Sequence, residues 1–199
     1  MAKIKHTKNE LKRQKDNLGR FRRFLPTLAL KKQQLQMEIR RLRGERKTKA
    51  AALDDVRETV GRWEVLFGED VGIEELIRVK EVRTTEGNIA GVDIPVFEGV
   101  DFEEAEYDLF EKPLWVDSGV EQIKKMSELM AEVATLEQAI ALLREELRIT
   151  TQRVNLFEKV KIPEALENIR VINIFLGDEQ TAAVVRGKIA KNKIERQAS

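Results

Sequence analysis

Apolar residues recur every seven positions along the first third of the chain, and this repeat constrains the fold more than any other feature. Thirteen of 17 seam positions are apolar. A stripe repeating every 3.5 residues over about eight heptads is typical of a coiled coil. At 1.5 Å per residue such a helix would be roughly 85 Å long, too long for a compact domain. The two series are Leu11, Leu18, Leu25, Lys32, Ile39, Arg46, Leu53, Val60, Phe67 and Gln14, Phe21, Leu28, Leu35, Leu42, Lys49, Val56, Trp63.

A second heptad run begins near Gly119. Nine of its ten seam positions are apolar, and after Phe157 the repeat changes phase. We interpret the step from Val154 to Ile162 as a stutter, a four-residue insertion that locally unwinds a supercoil. The two series are Met126, Val133, Ile140, Leu147, Val154 and Leu129, Leu136, Leu143, Thr150, Phe157, followed after the phase change by Ile162, Ile169, Leu176 with Leu166 and Ile172.

Two prolines fall inside these runs. The apolar phase continues across Pro26, which favours a continuous helix with a kink at that point. Pro163 follows the phase change, and it either kinks the second helix or occupies the first position of a new helix after Lys161-Ile162.

The segment between the runs loses the heptad period. Residues 76–83 and 91–97 alternate in part between apolar and polar side chains, and the turn-forming residues Thr84 to Asn88 separate them. This pattern predicts a small β-hairpin, with Pro95 at an edge or strand end. We expect an acidic loop from Glu98 to Glu111 after it. An isolated hairpin is marginally stable, so it should rest on the helices or on a partner.

The predicted fold is mainly α, with a long antiparallel two-helix coiled coil formed by the N- and C-terminal segments. A small β-hairpin and loop insert lies at one end, and both chain termini lie at the other. The predicted divisions are 1–67 for the N-terminal coiled-coil helix, 68–118 for the central insert and 119–199 for the C-terminal coiled-coil helix.

Composition and motifs argue against a catalytic or cofactor-binding protein. The chain has no cysteine and one histidine, His6, which we expect to be solvated. It has no Gly-rich phosphate loop and no nucleophile elbow, and its adjacent carboxylates point about 100° apart on a helix. The sequence therefore predicts no catalytic residue, no cofactor and no metal. It also shows neither a membrane-spanning apolar stretch nor an apolar segment after its charged start that would indicate a secretory signal.

Charge is unevenly distributed along the chain. Residues 1–50 contain 17 Lys and Arg against 4 Asp and Glu, residues 51–138 contain 8 against 23, and residues 139–199 contain 11 against 8. Three interpretations of the basic N-terminal arm remain open, namely a solvated helix face, an acidic protein neighbour and a phosphate backbone. Nucleic-acid binding is the weaker hypothesis because no aromatic stacking platform accompanies the basic residues. A coiled-coil adaptor or tether is a further alternative.

Three sequence motifs carry a family resemblance. The strongest motif extends from Arg153 through Glu158 to Ile162-Pro163, and the basic segment from Lys188 to Lys193 follows it. A second motif extends from Thr7-Lys8-x-x-Leu11 to Leu25-Pro26-Thr27-Leu28. A weaker match extends from Asn88 to Pro95. These motifs resemble the D-subunit family of the V/A-type ATPases, in particular its bacterial branch, although other members carry Gly-x-x-Leu-Leu-Lys near Pro26. The strong motifs cover about a third of the chain.

The resemblance implies a central rotor-stalk subunit that transmits torque between a catalytic hexamer and a membrane rotor ring. It implies, as partners, the A and B subunits of the catalytic hexamer, the F subunit of the stalk and a membrane-rotor coupling subunit, with no nucleic acid and no direct membrane insertion. The expected location is cytoplasmic, peripheral on the cytoplasmic face of the membrane. The expected partner-interface residues are Arg40, Arg41, Arg43, Arg153, Asn155, Glu158, Ile162 and Pro163.

Overall fold

A computed structural model describes residues 4–62, 76–105, 112–113 and 115–198. Helix α1 spans Lys8–Gly61, strands β1 and β2 span Ile77–Ile89 and Val92–Glu104, and helix α2 spans Trp115–Leu156. A short π-helix, Phe157–Lys161, follows α2, and helix α3 spans Ile162–Ala198. By their contacts the residues divide into two compact units, one made of Met1–Leu30 with Thr150–Ser199 and the other of Lys31–Ile149.

Helix α1 begins at a capped N-terminus. The backbone N–H of Glu10 donates to Thr7 Oγ1 at 3.2 Å, which satisfies one of the amides that have no partner within the helix. The helix then continues through Pro26, as the unbroken apolar phase predicts. The side chain of Pro26 is exposed, so its ring does not interrupt the apolar seam.

The heptad prediction of the seam is confirmed. Of the positions named for the two runs up to Phe157, every one that the structure describes is buried or half-buried, including Gln14, Lys32, Arg46 and Lys49. Trp63 and Phe67 lie outside the described residues. The fold class, mainly helical with a small antiparallel hairpin, is also as predicted, although α2 begins at Trp115 rather than near Gly119.

In the unit Lys31–Ile149, α1 and α2 run antiparallel around a shared apolar core. Its buried members on α1 are Leu35, Ile39 and Leu42, and those on α2 include Ile140 and Leu143. Three ion pairs across the helices show the opposed direction, because the residue number falls on α2 as it rises on α1. The pairs are Lys31 with Glu146 at 2.7 Å, Arg46 with Glu137 at 3.0 Å and Lys49 with Glu132 at 2.9 Å.

The hairpin is longer than predicted and turns at a different place. Strands β1 and β2 pair in antiparallel register from Ile77 opposite Glu104 to Ile89 opposite Val92. The turn is Ala90-Gly91, with φ of 53° and 77°, which is the left-handed geometry that two-residue hairpin loops require. The predicted turn at Thr84–Asn88 is therefore wrong, because those residues lie within β1.

A glycine inside β1 explains part of that error. Gly87 pairs with Ile94, and Cγ2 of the nearby Val96 would be 2.7 Å from a Cβ at position 87. Close approach of a neighbouring side chain, rather than a turn, thus requires glycine there. Pro95 lies within β2, opposite Glu86. Both strands of a two-stranded sheet are edge strands, so Pro95 lies at an edge as predicted.

One further expectation about the insert needs correction. The acidic loop predicted from Glu98 to Glu111 is strand β2 as far as Glu104, and residues 106–111 lie outside the described part of the chain. The tip of the hairpin packs on the apolar core that the two helices share. Ile89, Ala90, Val92 and Ile94 pack on the core of Leu35, Ile39, Leu42, Ala139, Ile140 and Leu143.

The base of the hairpin packs on the first turns of α2. Ile77 of β1 is buried together with Leu76, Val116 and Val120, and Phe102 of β2 lies against this cluster. Lys124 of α2 adds an ion pair with Glu104 at 2.7 Å. The hairpin therefore rests on the helices at its base and at its tip, as its marginal stability in isolation predicts.

In the unit made of Met1–Leu30 and Thr150–Ser199, α1 again runs antiparallel to the second helical segment. The rings of Phe21 and Phe157 lie 5.2 Å apart, and those of His6 and Phe175 lie 4.8 Å apart. His6 is exposed, but it is more than a solvated side chain because its ring packs on Phe175.

The phase change after Phe157 is a π-helical turn and not a stutter. The N–H of Ile162 donates to the carbonyl of Phe157, five residues earlier, so one extra residue is inserted into the helix. This insertion explains why Val154 and Ile162 are eight residues apart instead of seven. Pro163 has no N–H to donate to Lys159, so a regular α-helical bond could not form there. The backbone is helical on both sides, so Pro163 does not start a separate helix.

Beyond the π-helix, four of the five predicted apolar positions keep to the seam. Ile172 is fully buried and Ile162, Ile169 and Leu176 are half-buried. The prediction for Leu166 is wrong, since that side chain is 43% exposed and its neighbour Ala165 is buried instead. Within the part of the chain that the structure describes, no helix has the length and apolar character needed to cross a membrane.

Truncating a seam residue should destabilise the fold far more than truncating its neighbour. Leu143 is 0% exposed and Leu142 is 41% exposed. We expect Leu143→Ala to lower the free energy of unfolding by about 2–5 kcal/mol because it leaves a cavity in the core. We expect Leu142→Ala to change it by less than about 1 kcal/mol. Urea unfolding followed by circular dichroism measures both, and equal losses would contradict this description of the core.

Deleting one residue at the π-helix should be tolerated, because it restores the seven-residue spacing. We expect the deletion of Val160, which is 48% exposed, to change the free energy of unfolding by less than about 1 kcal/mol. Deleting the exposed Ala141 should instead rotate the following seam positions by about 100° and cost at least about 3 kcal/mol of burial. The interpretation fails if the two deletions are equally destabilising.

Candidate partner-binding surfaces

The eight residues predicted to contact partners lie on exposed or half-buried helix surface. Seven are exposed, and Ile162 is half-buried. Arg40, Arg41 and Arg43 belong to the unit Lys31–Ile149, and the other five belong to the second unit. The predicted residues therefore form two groups, one on each unit.

Arg41 differs from its two neighbours because its charge is neutralised within the chain. Its Nε donates to Glu38 at 2.9 Å and its Nη1 donates to Glu45 at 2.6 Å. The hydrogen bond to Glu38, followed by the charge of Glu45, raises the pKa of Arg41 above its usual value. Arg41 and Glu45 also line a groove of about 330 Å³ between the helices and the hairpin. Arg41 therefore lies on the side of α1 that faces the hairpin, and its charge is paired within α1.

Arg43 lies beside a different groove, on the other flank of the helix pair. This groove has a volume of about 520 Å³. Among the residues that the structure describes, Arg40, Arg43, Lys47 and Arg144 are exposed and form no ion pair. We call these four residues the basic flank. The groove is lined by Arg43, Arg46, Lys47, Glu137, Ile140 and Arg144.

Sequence reasoning missed two members of the basic flank. Lys47 is seven residues after Arg40, so the helical period could have identified it. Arg144 lies on α2, more than 100 residues away in the chain, and only the pairing of the helices brings it to the same groove. Its inclusion depends on tertiary structure.

The second group of predicted residues surrounds the π-helix. Asn155 and Glu158 are three residues apart and share a helix face, whereas Arg153 points to another side. Pro163 is the one member of the group that lines a groove of about 740 Å³ between the start of α1 and the π-helix. The structure therefore does not gather all five into a single site. Other residues of the groove, including Lys159, Val160 and Glu164, were not predicted, although the phase change marks their position.

Glu10 lines this groove, and its carboxylate already accepts hydrogen bonds from neighbouring side chains. It is 9% exposed and accepts hydrogen bonds from Gln14 Nε2 at 2.7 Å and from Arg13 Nη2 at 2.8 Å. The hydrogen bond from Gln14, and then those from Arg13, hold the pKa of Glu10 below its usual value. A carboxylate kept ionised in this way orders the first turns of α1 and is poorly suited to accept a proton in catalysis.

No metal-binding cluster is found in the described ranges, in which no three His, Cys, Asp or Glu side chains converge. The arrangement offers grooves, charged faces and apolar helix surface. These features are suited to protein contact.

The last part of α3 is an apolar and basic surface that the predicted site residues did not include. The ring of His6, which precedes α1 in the chain, contacts the ring of Phe175, and α3 continues beyond this contact to Ala198. Over residues 177–196 the side chains are exposed, apart from the half-buried Ala182. We call residues 177–198 the C-terminal extension. Its exposed large apolar residues are Val184 at 60%, Val185 at 50%, Ile189 at 51% and Ile194 at 67%.

Comparison with known proteins gives a consistent result over nearly the whole chain. The model of the ATP synthase D-subunit family matches residues 10–192. The D subunit of the V-type ATP synthase of Borreliella burgdorferi is 51% identical over 194 residues, covering 98% of this chain and 96% of that protein. The corresponding V-type ATP synthase protein of Chlamydia felis is 34% identical over 199 residues, with 98% and 95% covered. That of Chlamydia trachomatis is 35% identical over 202 residues, with 98% and 97% covered.

Proposed function

Because the chain belongs to the ATP synthase D-subunit family, we propose that it is the central rotor shaft of a V/A-type rotary ATPase. In this role it transmits torque between the catalytic hexamer and the membrane rotor ring, and so couples ATP synthesis or hydrolysis to ion transport. ATP is bound and hydrolysed by other subunits. The observation that carries the proposal is the family match over residues 10–192 together with the continuous apolar seam.

The apolar seam is suited to a subunit that must resist torsion when it transmits torque. Two helices that share interlocking apolar side chains cannot rotate about their own axes independently, because rotation would expose buried Leu and Ile side chains. Exposed ion pairs across helices contribute at most about 1 kcal/mol each, so the apolar core supplies most of the resistance. In the unit Lys31–Ile149 that core includes Leu35 and Leu143, which are both 0% exposed.

The exposed apolar side chains of the C-terminal extension support the proposal that this chain contacts the catalytic hexamer. Exposed Val and Ile side chains on a helix are expected to be covered by a partner. We propose that the extension lies in the bore of the hexamer that the A and B subunits form. The F subunit of the stalk and a membrane-rotor coupling subunit complete the proposed partners, with Arg153, Asn155, Glu158, Ile162 and Pro163 as candidate contacts. The complex would be peripheral on the cytoplasmic face of the membrane.

A coiled-coil adaptor is the competing function, and rotation distinguishes it from a shaft. The chain has no cysteine, so Thr85→Cys on the exposed part of β1 provides a single attachment point for a bead. With the reconstituted catalytic hexamer fixed to a surface, we expect ATP to drive rotation of the bead in one direction. A hexamer that co-purifies with the chain but never rotates the bead would support the adaptor. Failure to co-purify would exclude both membership of the complex and the shaft role.

Charging the C-terminal extension should weaken its contact with the hexamer without unfolding the chain. Burying one Val or Ile is worth about 1.5–3 kcal/mol, so Val185→Glu with Ile189→Glu should lower affinity at least tenfold, equivalent to about 1.4 kcal/mol or more. The matched control is Gln180→Glu with Thr181→Glu, which adds the same charge at exposed polar positions. Binding can be measured by interferometry, and equal affinities for the two double variants would argue against an apolar contact.

A further inference from the structure

We propose that the basic flank, formed by Arg40, Arg43 and Lys47 of α1 with Arg144 of α2, is a docking surface for an acidic segment of a protein partner. The inference depends on the proposed function, since that partner is a component of the same ATPase complex. It goes further by specifying one flank of the helix pair and the chemistry of what binds there.

The helical period places the three α1 residues on one face. Arg40, Arg43 and Lys47 are spaced by three and four residues, which are neighbouring positions on a helix surface. Arg144 lines the same groove of about 520 Å³ from the antiparallel helix. At 1.5 Å per residue, the row from Arg40 to Lys47 is about 10 Å long, which is about two turns of a partner helix.

Nearby cations are neutralised within the chain, whereas these four are left without an ion pair among the described residues. Arg41 pairs with Glu38 and Glu45, and Arg46 pairs with Glu137. Glu137 is the sole carboxylate among the residues that line the groove, and it is held by Arg46 at 3.0 Å. The groove consequently carries a surplus of positive charge.

That surplus has a cost in the isolated chain. Like charges three or four residues apart repel each other and destabilise a helix. The flank that faces the hairpin avoids this repulsion by pairing Arg41 with Glu45 and Lys49 with Glu132. A partner that brings carboxylates to the basic flank would remove the repulsion. Its carboxylates would also accept charge-assisted hydrogen bonds from the arginine guanidinium groups.

The surroundings favour acidic protein over nucleic acid. No aromatic side chain lines the groove, so there is no platform on which a base could stack. A short carboxylate-bearing helix or loop fits the limited length of the flank.

Photocrosslinking in the assembled complex tests the proposal. Because the chain lacks cysteine, Lys47→Cys can carry a benzophenone group at a single position, and Thr48→Cys provides an exposed control that points about 100° away. We expect adducts from position 47 to map to one partner segment rich in Asp and Glu, and position 48 to give few adducts there. Adducts that map to a neutral or basic segment, or that are absent although the complex has assembled, would overturn the proposal.

Charge reversal provides the second measurement. Arg43→Glu with Lys47→Glu should weaken binding to the complex about tenfold, equivalent to about 1.4 kcal/mol, since two ion pairs are lost. Arg20→Glu with Arg23→Glu makes the same charge change elsewhere on α1 and should leave affinity unchanged. Reversing the acidic residues of the crosslinked segment to Lys should restore binding to the first variant. Circular dichroism should show that both variants remain folded.

Four outcomes would separate the possible failures. Equal weakening by both double variants would mean general electrostatic attraction and not a specific surface. Retention of the wild-type chain on duplex DNA, lost in Arg43→Glu with Lys47→Glu, would assign the flank to nucleic acid. If the wild-type chain does not co-purify with the hexamer, the proposed function fails and this inference fails with it, whereas a retained hexamer without adducts rejects the inference alone.

Discussion

The apolar seam between antiparallel helices is the interaction on which the rest of the structure depends. A helix as polar as α1 gains most of its stability from packing along one stripe. In one unit Leu35, Leu42 and Leu143 fill that stripe, and in the other Val154 and Ile172 do so. The hairpin, which could not persist alone, uses the same core as its support because Ile94 is buried against it. Stability and the placement of every candidate surface therefore follow from the seam.

The seam could be predicted from sequence because a heptad repeat is a direct record of which side chains face a partner helix. The polar positions Lys32, Arg46 and Lys49 did not weaken the prediction, since a few charged groups are tolerated when their long stems lie along the seam. The hairpin turn was harder to predict. Thr84 and Thr85 suit a strand, Gly87 is required by a close neighbour, and the left-handed turn begins at Ala90, which carries no sequence signal for positive φ.

The candidate surfaces were predictable only in part. Sequence identified Arg40, Arg41 and Arg43 as one basic cluster, because charge and spacing make them alike. Tertiary structure separates them, since Arg41 meets Glu45 on the flank that faces the hairpin. The contribution of Arg144 depends on the register between two helices far apart in sequence. A charge becomes available to a partner according to what the fold places beside it, and composition does not contain that information.

The π-helix shows how an irregular residue count can be accommodated without loss of the core. One extra residue between Val154 and Ile162 would turn the following seam away from α1 if the α-helix continued unchanged. The wide turn absorbs that residue, so Ala165 and Ile172 remain buried. Such turns occur frequently at functional sites. Here the insertion places Val160 and Pro163 beside a groove of about 740 Å³ that a regular helix would have shaped differently. The irregularity thus keeps the seam buried while changing the surface presented to a partner.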